Sequence, residues 1–371
     1  MDNVGKKQAG RIKRAAAWTV GVIAGLILVL SVAIYFSTYH PDDVQKESVV
    51  SPEDAPVLEA GQKIKVLSWN VQYMAGKNYV FFYDTAKGDG PDIRPSSKDI
   101  TVTFAEVVRV IKAENPDIVL LQEVDYKAKR TDYEDQLAKL LALLPKEYSS
   151  YASAYCWKAA FVPHPKIMGR VGMKNVIISK YKIREAIRYQ LPIMPGNILF
   201  QQMNFKRTIL EAVFPVKDGK EFSVMNTHLD AFARGNNTME RQVYHLMSIL
   251  KKRTEEGRQW AIGGDFNLLP PGDAWKNLQA DQRVVYNEKS ELEPMFKLYN
   301  AVPSLDEIYG ADVAKWFTNF PNDPLMKAPN RTLDFIFTSK SVAIGKHYVR
   351  LSDTLKISDH MPVVSEIALR K

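Results

Sequence analysis

The chain has 371 residues, 46% of them hydrophobic and 25% charged, with a single cysteine, Cys156, and a formal net charge of +8. One thiol excludes an intrachain disulfide framework and any Cys-x-x-Cys redox or zinc motif, and the composition is that of ordinary globular material. The positive excess suits an anionic partner, whether a membrane surface, nucleic acid or a phosphorylated small molecule, without choosing among them.

Residues 15–37, AAAWTVGVIAGLILVLSVAIYFS, carry no charge and are long enough as a helix to cross a hydrocarbon core of roughly 30 Å. Lys6, Lys7, Arg11, Lys13 and Arg14 precede this stretch and Asp42, Asp43 and Glu47 follow it. The positive-inside bias then predicts a basic cytoplasmic tail at 1–14, a transmembrane helix at 15–37, and everything beyond on the extracytoplasmic side, periplasmic or extracellular. A cleavable signal peptide is the competing reading; the long apolar core and the lack of a small-x-small cleavage site speak against it. Residues 38–62, rich in Pro, Asp, Glu and Ser, read as a linker that holds the folded part off the membrane, and the domain is expected over 63–371.

From there, short β-branched runs alternate with helical patterns. IKVLSWN (64–70) reads as a strand, VTFAEVVRVIKAENP (102–116) as a helix stopped by Asn115-Pro116, and DIVLLQEVD (117–125) as the next strand. Further strands are predicted at 174–179, 207–216, 221–228, 259–264, 333–338, 342–350 and 362–369, and helices at 132–144 and 238–253. This pattern predicts a layered α/β domain of sheets covered by helices, without internal repeats. Residues 75–98 form a long, Gly-, Asp- and Pro-containing connection directly after the first strand; it is either a substrate loop or a surface loop with no part in the chemistry.

Polar residues gather at the ends of these strands. IKVLSWN ends in Asn70, DIVLLQE in Glu123, FSVMNTH in Asn226 and His228, and WAIGGDFN in Asp265 and Asn267; LDFIF contains Asp334, and Asp359-His360 precedes the last strand. Each alone has an ordinary explanation: Asn70 closing a turn, Glu123 a solvated charge, His228 a core histidine, Asp265 and Asn267 an Asx turn, Asp334 a partner for Arg331. Together they make an inventory of carboxylates, imidazoles and amides entering from strand ends, where α/β sheets line their ligand crevices. Glu, Asp and Asn oxygens suit Mg²⁺, with Mn²⁺ as a substitute, whereas zinc would recruit more nitrogen or sulfur and no HExxH is present.

The series SWNV, LLQEVD, MNTHLDA, GGDFN, LDFIF and SDHMPV, running from Ser68 to Val363, resembles the endonuclease/exonuclease/phosphatase superfamily, which includes pancreatic deoxyribonuclease, neutral sphingomyelinases and inositol polyphosphate 5-phosphatases. The resemblance implies an α/β four-layered αββα sandwich with a Mg²⁺-dependent phosphoesterase site at one end. Carried over residue by residue, it implies that Glu123, Asn70 and Asp359 hold the metal and that Asp334 orients His360. It further implies that Asp265 or His360 activates water, and that Asn267 and His228 stabilise phosphoryl oxygens. Lys174-Asn175 in GMKNVIISKY and Arg207 in FKRTIL either meet the phosphate or headgroup or are surface solubilisers beside their strands. One departure concerns the abasic-site endonucleases, which carry an Asp two residues after the first Asn where this chain has Gln72; a ligand on that side is missing or replaced by water. The expected substrate is a phosphate ester, with a lipid-headgroup phosphodiester favoured by the membrane helix; an extracytoplasmic nuclease is the first alternative and a non-catalytic scaffold the second.

Overall fold

The computed structural model describes residues 2–85, 87–232, 234–321 and 326–370. Its strands in chain order are β1 (Val44–Glu47), β2 (Val49–Val50), β3 (Lys63–Asn70), β4 (Ile118–Asp125), β5 (Ser150–Val162), β6 (Gly169–Ser179), β7 (Glu185–Gln190), β8 (Thr208–Pro215), β9 (Glu221–His228), β10 (Gln259–Asp265), β11 (Asn300–Val302), β12 (Asp334–Thr338), β13 (Ala343–Val349) and β14 (Val363–Ala368). They form two seven-stranded sheets, ordered β13-β14-β3-β4-β6-β5-β2 and β1-β7-β8-β9-β10-β12-β11. Only β3/β4 and β9/β10 pair in parallel among the described strands, so both sheets are mixed.

Between the sheets lies a shared core that includes Ile64, Val66, Leu120, Ile177, Leu210, Phe214, Ala261 and Ile336. The outer face of the first sheet is covered by α2 (Ser97–Glu114) and α3 (Gln136–Leu143), through Phe104, Val107, Ile111 and Leu140. The outer face of the second is covered by the long helix 238–255, through Val243, Leu246 and Leu250. The result is the αββα sandwich. Helix α2 stops where Asn115-Pro116 predicts, Asn115 taking the left-handed conformation with φ 48°. Asp135 caps α3 by accepting from the Ala138 amide, so that helix starts later than the predicted 132.

At the N-terminus, α1 (Asp2–Ser37) is one continuous helix whose stretch Gly10–Ser37 is long and apolar enough to cross a membrane and is not buried against the domain. The linker expected at 38–62 is corrected, because much of it is built into the sandwich. Val44–Glu47 pair with Glu185–Gln190 at one sheet edge and Val49–Val50 with β5 in the other sheet, while Leu58 is buried and bridges Val216. Edge pairing draws on backbone donors and acceptors, so a polar, weakly hydrophobic sequence forms these strands and still reads as a tether.

Candidate active site

The register of three neighbouring strand ends builds half of the site. Asp265 closes β10, opposite His228 of β9 on one side and Asp334 of β12 on the other, so the three side chains share one face. Two glycines precede Asp265: Gly263 lets this edge approach the first sheet, and Gly264 lets β10 lie close against β9 in its own sheet. A Cβ at Gly263 would meet Leu120 Cδ1 at 2.8 Å and Ser68 Cβ at 3.1 Å, and Gly264, at φ 155°, would place one 1.9 Å from the Thr227 carbonyl oxygen.

The first sheet supplies the other half. Asn70 ends β3 beside Gln122 of β4. The next residue, Glu123, lies in a β-bulge against β6 with φ 59°, a conformation that costs a non-glycine residue roughly 1–2 kcal/mol and re-aims its side chain out of the ladder into the cleft. His360 is placed by its backbone: its carbonyl accepts from Trp69 Nε1 at 2.9 Å, and Ser358, which donates to the Asn70 carbonyl, accepts from the His360 amide.

These groups meet in one chain of contacts. Asn70 Nδ2 lies 3.3 Å from Glu123 Oε1 and 3.1 Å from Asp265 Oδ2. Asp265 Oδ2 lies 3.4 Å from both His228 Nε2 and His360 Nε2, and His360 Nδ1 lies 2.7 Å from Asp334 Oδ2. The Asp334 amide is held by Thr318 Oγ1, and the side-chain amide of Asn319 stands 2.9 Å from His360 Nε2. Asn267, left-handed at φ 52°, donates its backbone amide to Asp265 Oδ1 and its side-chain amide to the Leu229 carbonyl, so the Asx turn exists and is built into the site. Arg207 faces Asp230 at 3.2 Å, with its ring neighbour Phe205 at 4.3 Å.

A cleft of about 490 Å³ opens over this cluster, lined among others by Glu123, Arg207, His228, Asp265, Asn267 and His360. Residue Asp359 lines it too. Asn175 does not reach it. On β6 the period-two alternation turns Asn175 inward, where it is fully buried and donates to the Thr208 carbonyl, so it braces the two sheets. Asn226 does the same, donating to the carbonyls of Leu121 and Val176.

The connection expected at 75–98 ends earlier, where Ser96 caps α2, and it forms one wall, contributing Tyr83, Asp84, Thr85, Lys87 and Asp89. It is locked down by Tyr83, which donates to Tyr73 at 2.6 Å and accepts from Arg130, itself paired with Asp125 at 2.8 Å. Asp84, Arg130, Asp230 and Asn319 are cleft or network residues that sequence reasoning missed. Asp84 and Asn319 stand in loops and Arg130 in a short 3-10 turn, outside any motif with a fixed spacing, while Asp230 lies within MNTHLDA, where the histidine drew attention instead.

Burial dominates the electrostatics. It pushes Glu123 up to about 7, with the charge of Asp359 adding to the effect. It pushes Asp265 up to about 6, against the pull of His360 and with a contribution from Asp334. Asp84 and Asp359 are raised as well, by burial first and then by neighbouring carboxylates, and for Asp359 against the pull of His360. Burial lowers His360, but Asp334, Asp265 and Asp359 outweigh it and hold the imidazole well above its ordinary value. His228 is held well below its ordinary value by burial, Arg207 and His360.

A group of buried carboxylates that repel one another is the donor set a hard divalent cation satisfies. Asp265, Asp334 and His360 present ligand atoms all within 4.8 Å of one another. The 2.7 Å bond within that trio already commits His360 Nδ1 and Asp334 Oδ2 to each other. The oxygen-rich side at Glu123, Asn70 and Asp359 therefore fits a hard divalent cation better. Two buried atoms, His228 Nδ1 and Asp334 Oδ1, have no hydrogen-bond partner, as expected of a site shaped for a ligand.

Residues 67–360 match the family model described as Endonuclease/Exonuclease/phosphatase family. Among solved structures, an endonuclease/exonuclease/phosphatase from Beutenbergia cavernae DSM 12333 is 18% identical with a TM-score of 0.56, over 83% of this chain and 72% of that one. The human Nocturnin catalytic domain with bound sulfate anion is 18% identical with a TM-score of 0.49, over 87% and 96%. An endonuclease/exonuclease/phosphatase from Bacteroides vulgatus is 18% identical with a TM-score of 0.49, over 83% and 100%. Identities this low speak to the fold alone, and of the three only the first carries that argument. No curated protein matches the chain.

Proposed function

Because the chain belongs to the endonuclease/exonuclease/phosphatase family and is a metal-dependent phosphoesterase, we propose that it is a membrane-anchored, Mg²⁺-dependent phosphodiesterase acting on lipid headgroups. Helix α1 is the anchor in this reading, with residues 1–14 cytoplasmic and the sandwich on the far side. An enzyme held at a bilayer meets lipid phosphodiesters at high effective concentration, which favours them over nucleic acid.

Glu123, Asn70 and Asp359 hold the cation. When bound, it supplies Lewis-acid polarisation of a phosphoryl oxygen and stabilises the leaving oxygen. The chain's own groups do the rest. Asp334 fixes the orientation of His360 through the 2.7 Å bond at Nδ1. Oδ2 of Asp265 is positioned to take a proton from the attacking water as its oxygen bonds to phosphorus and the ester P–O bond breaks; Nε2 of His360, 3.4 Å away, takes that proton only in its neutral form and otherwise donates to a phosphoryl oxygen. His228 and Asn267 meet oxygens that gain charge, and Arg207 pairs with the phosphate.

One observation carries the reading: the unbroken contact chain Glu123, Asn70, Asp265, His360, Asp334 across the facing edges of both sheets. The purified full chain with Mg²⁺ is offered phospholipid and sphingolipid vesicles in one arm and DNA in the other. Lipid turnover that is lost in His360→Ala supports the proposal. DNA cleavage without lipid turnover replaces it with a nuclease, and no turnover of either points to a binding protein on this fold.

A further inference from the structure

The segment 191–205, LPIMPGNILFQQMNF, contains no charged residue, in a chain that is one-quarter charged. Its start is anchored in the core, where Leu191 is buried and Met194 packs against the same cluster. Pro195, Gly196, Asn197 and Ile198 are exposed, Ile198 at 75%, and the short helix α4 (Ile198–Met203) follows, with Gln201, Gln202 and Met203 half-buried. The stretch 195–198 presents Ile198 to solvent with no charged residue near it in the chain.

Both ends of the segment are tied to the exit of α1. Just before it, the Gln190 amide donates to the Asp43 carbonyl at 2.8 Å, and within it Gln202 Oε1 accepts from Thr38 Oγ1 at 3.3 Å. Thr38 is the residue immediately after α1 and also bridges Ala159 near the end of β5, where Phe161 stands 44% exposed two positions on. Asp43 is five residues past Thr38, which extended chain covers in at most about 17 Å. The tie at Gln202 is direct. With α1 in a bilayer, this segment and the β5 end therefore lie at the membrane boundary. Tyr35, Tyr39 and His40 gather there as an aromatic group, with the Tyr35 and His40 rings stacked at 4.2 Å and Tyr39 against Tyr155 at 5.8 Å, which suits the headgroup level.

From this boundary a short path leads into the active cleft. Trp157 Nε1 donates to the Met203 carbonyl at 2.7 Å and its ring lies 4.6 Å from Phe205; Phe205 carries Arg207 at 4.3 Å. Met194, Asn204, Phe205 and Arg207 line the cleft itself.

We infer that segment 191–205, with Phe161 beside it, is a bilayer-docking surface that turns the mouth of the cleft toward the membrane entered by α1. The inference rests on the reading of α1 as an anchor. The surface is committed to lipid by its continuity with that helix at the Thr38–Gln202 contact.

The test uses the full chain reconstituted into phosphatidylcholine vesicles carrying spin-labelled lipid. A fluorophore is attached in turn at Ile198→Cys, Phe161→Cys, Val102→Cys on α2, and Val22→Cys within α1; the native Cys156 is buried. Quenching at 198, 161 and 22 with none at 102 is the expected result. Quenching at 22 alone overturns the docking surface and leaves the anchor standing, whereas no quenching at 22 overturns the anchor and the docking surface with it. As a second readout, Ile198→Asp lowers turnover of vesicle lipid several-fold and leaves turnover of a soluble phosphodiester unchanged. Equal loss on both substrates contradicts the proposal.

Discussion

Asn70 and Asp265 lie 195 positions apart and on different sheets, yet Asn70 Nδ2 donates to Asp265 Oδ2 at 3.1 Å. That bond closes the gap between the two sheet edges, because Asn70 also contacts Glu123. Asn70→Ala leaves both carboxylates without this donor. It is expected to lower kcat for a phosphodiester by about 10²–10³, the range for losing one preorganised polar group in an active site. A variant with less than a twofold change would show that the bridge has no part in catalysis.

The Asp334–His360 pair makes a separate prediction. Asp334→Asn removes the carboxylate that offsets the burial of the imidazole, so the His360 pKa falls toward its ordinary value. The variant also loses the charge-assisted bond that orients the ring at Nδ1, and the rate is expected to fall by about 10²–10⁴, the range for a mispositioned acid–base group. NMR titration of the His360 ring in wild type and variant reads the shift directly, and an unchanged titration contradicts the pairing.

Gly264 is argued from space. A methyl there would lie 1.9 Å from the Thr227 carbonyl oxygen, so β9 and β10 must separate where His228 and Asp265 are set. Gly264→Ala is expected to cost about 1–3 kcal/mol of stability. A thermal melt within error of wild type would place the constraint elsewhere.

Much of this site was legible because strands alternate with period two, and a polar residue closing an apolar run marks a strand end. Asn70, His228 and Asp265 followed from that rule, and the order of the motifs supplied the rest. What sequence concealed has physical causes. β1 and β2 pair through backbone at the sheet edges; β1 (VQKE) is mostly polar and β2 is only Val49–Val50, so neither gave a periodic signal. In β5, SYASAYCWKAAFV, the residues between the buried positions are largely aromatic or small, which hides the alternation. Asn175 follows a lysine in a strand and looks like a basic phosphate contact, but its face of β6 looks into the core. Asp84 and Asn319 act from loops whose course no local pattern specifies.

Away from the site, Glu211 is buried under Arg253, with bonds of 2.7 and 2.8 Å, and also meets Ser223 and Tyr189. Burial alone would raise its pKa, but these hydrogen bonds outweigh it and leave it lowered. A depressed carboxylate contributes stability that is present above its unfolded value, about 4.3, and is lost as pH falls through the folded value. Glu211→Gln should therefore destabilise the protein at pH 7 and lose less stability on acidification than wild type. Parallel acid-stability curves for the two proteins would refute this.

The central claim is that Glu123 and its neighbours form one cation-dependent hydrolytic centre. It is tested most directly by the rate of soluble phosphodiester hydrolysis as Mg²⁺ is added to chelator-treated full chain, for wild type and Glu123→Gln. The account predicts no activity without the cation, saturable recovery in wild type, and recovery in Glu123→Gln that is weaker by orders of magnitude or needs far more Mg²⁺. Superimposable Mg²⁺ curves for the two proteins, or full activity in chelator, would contradict it.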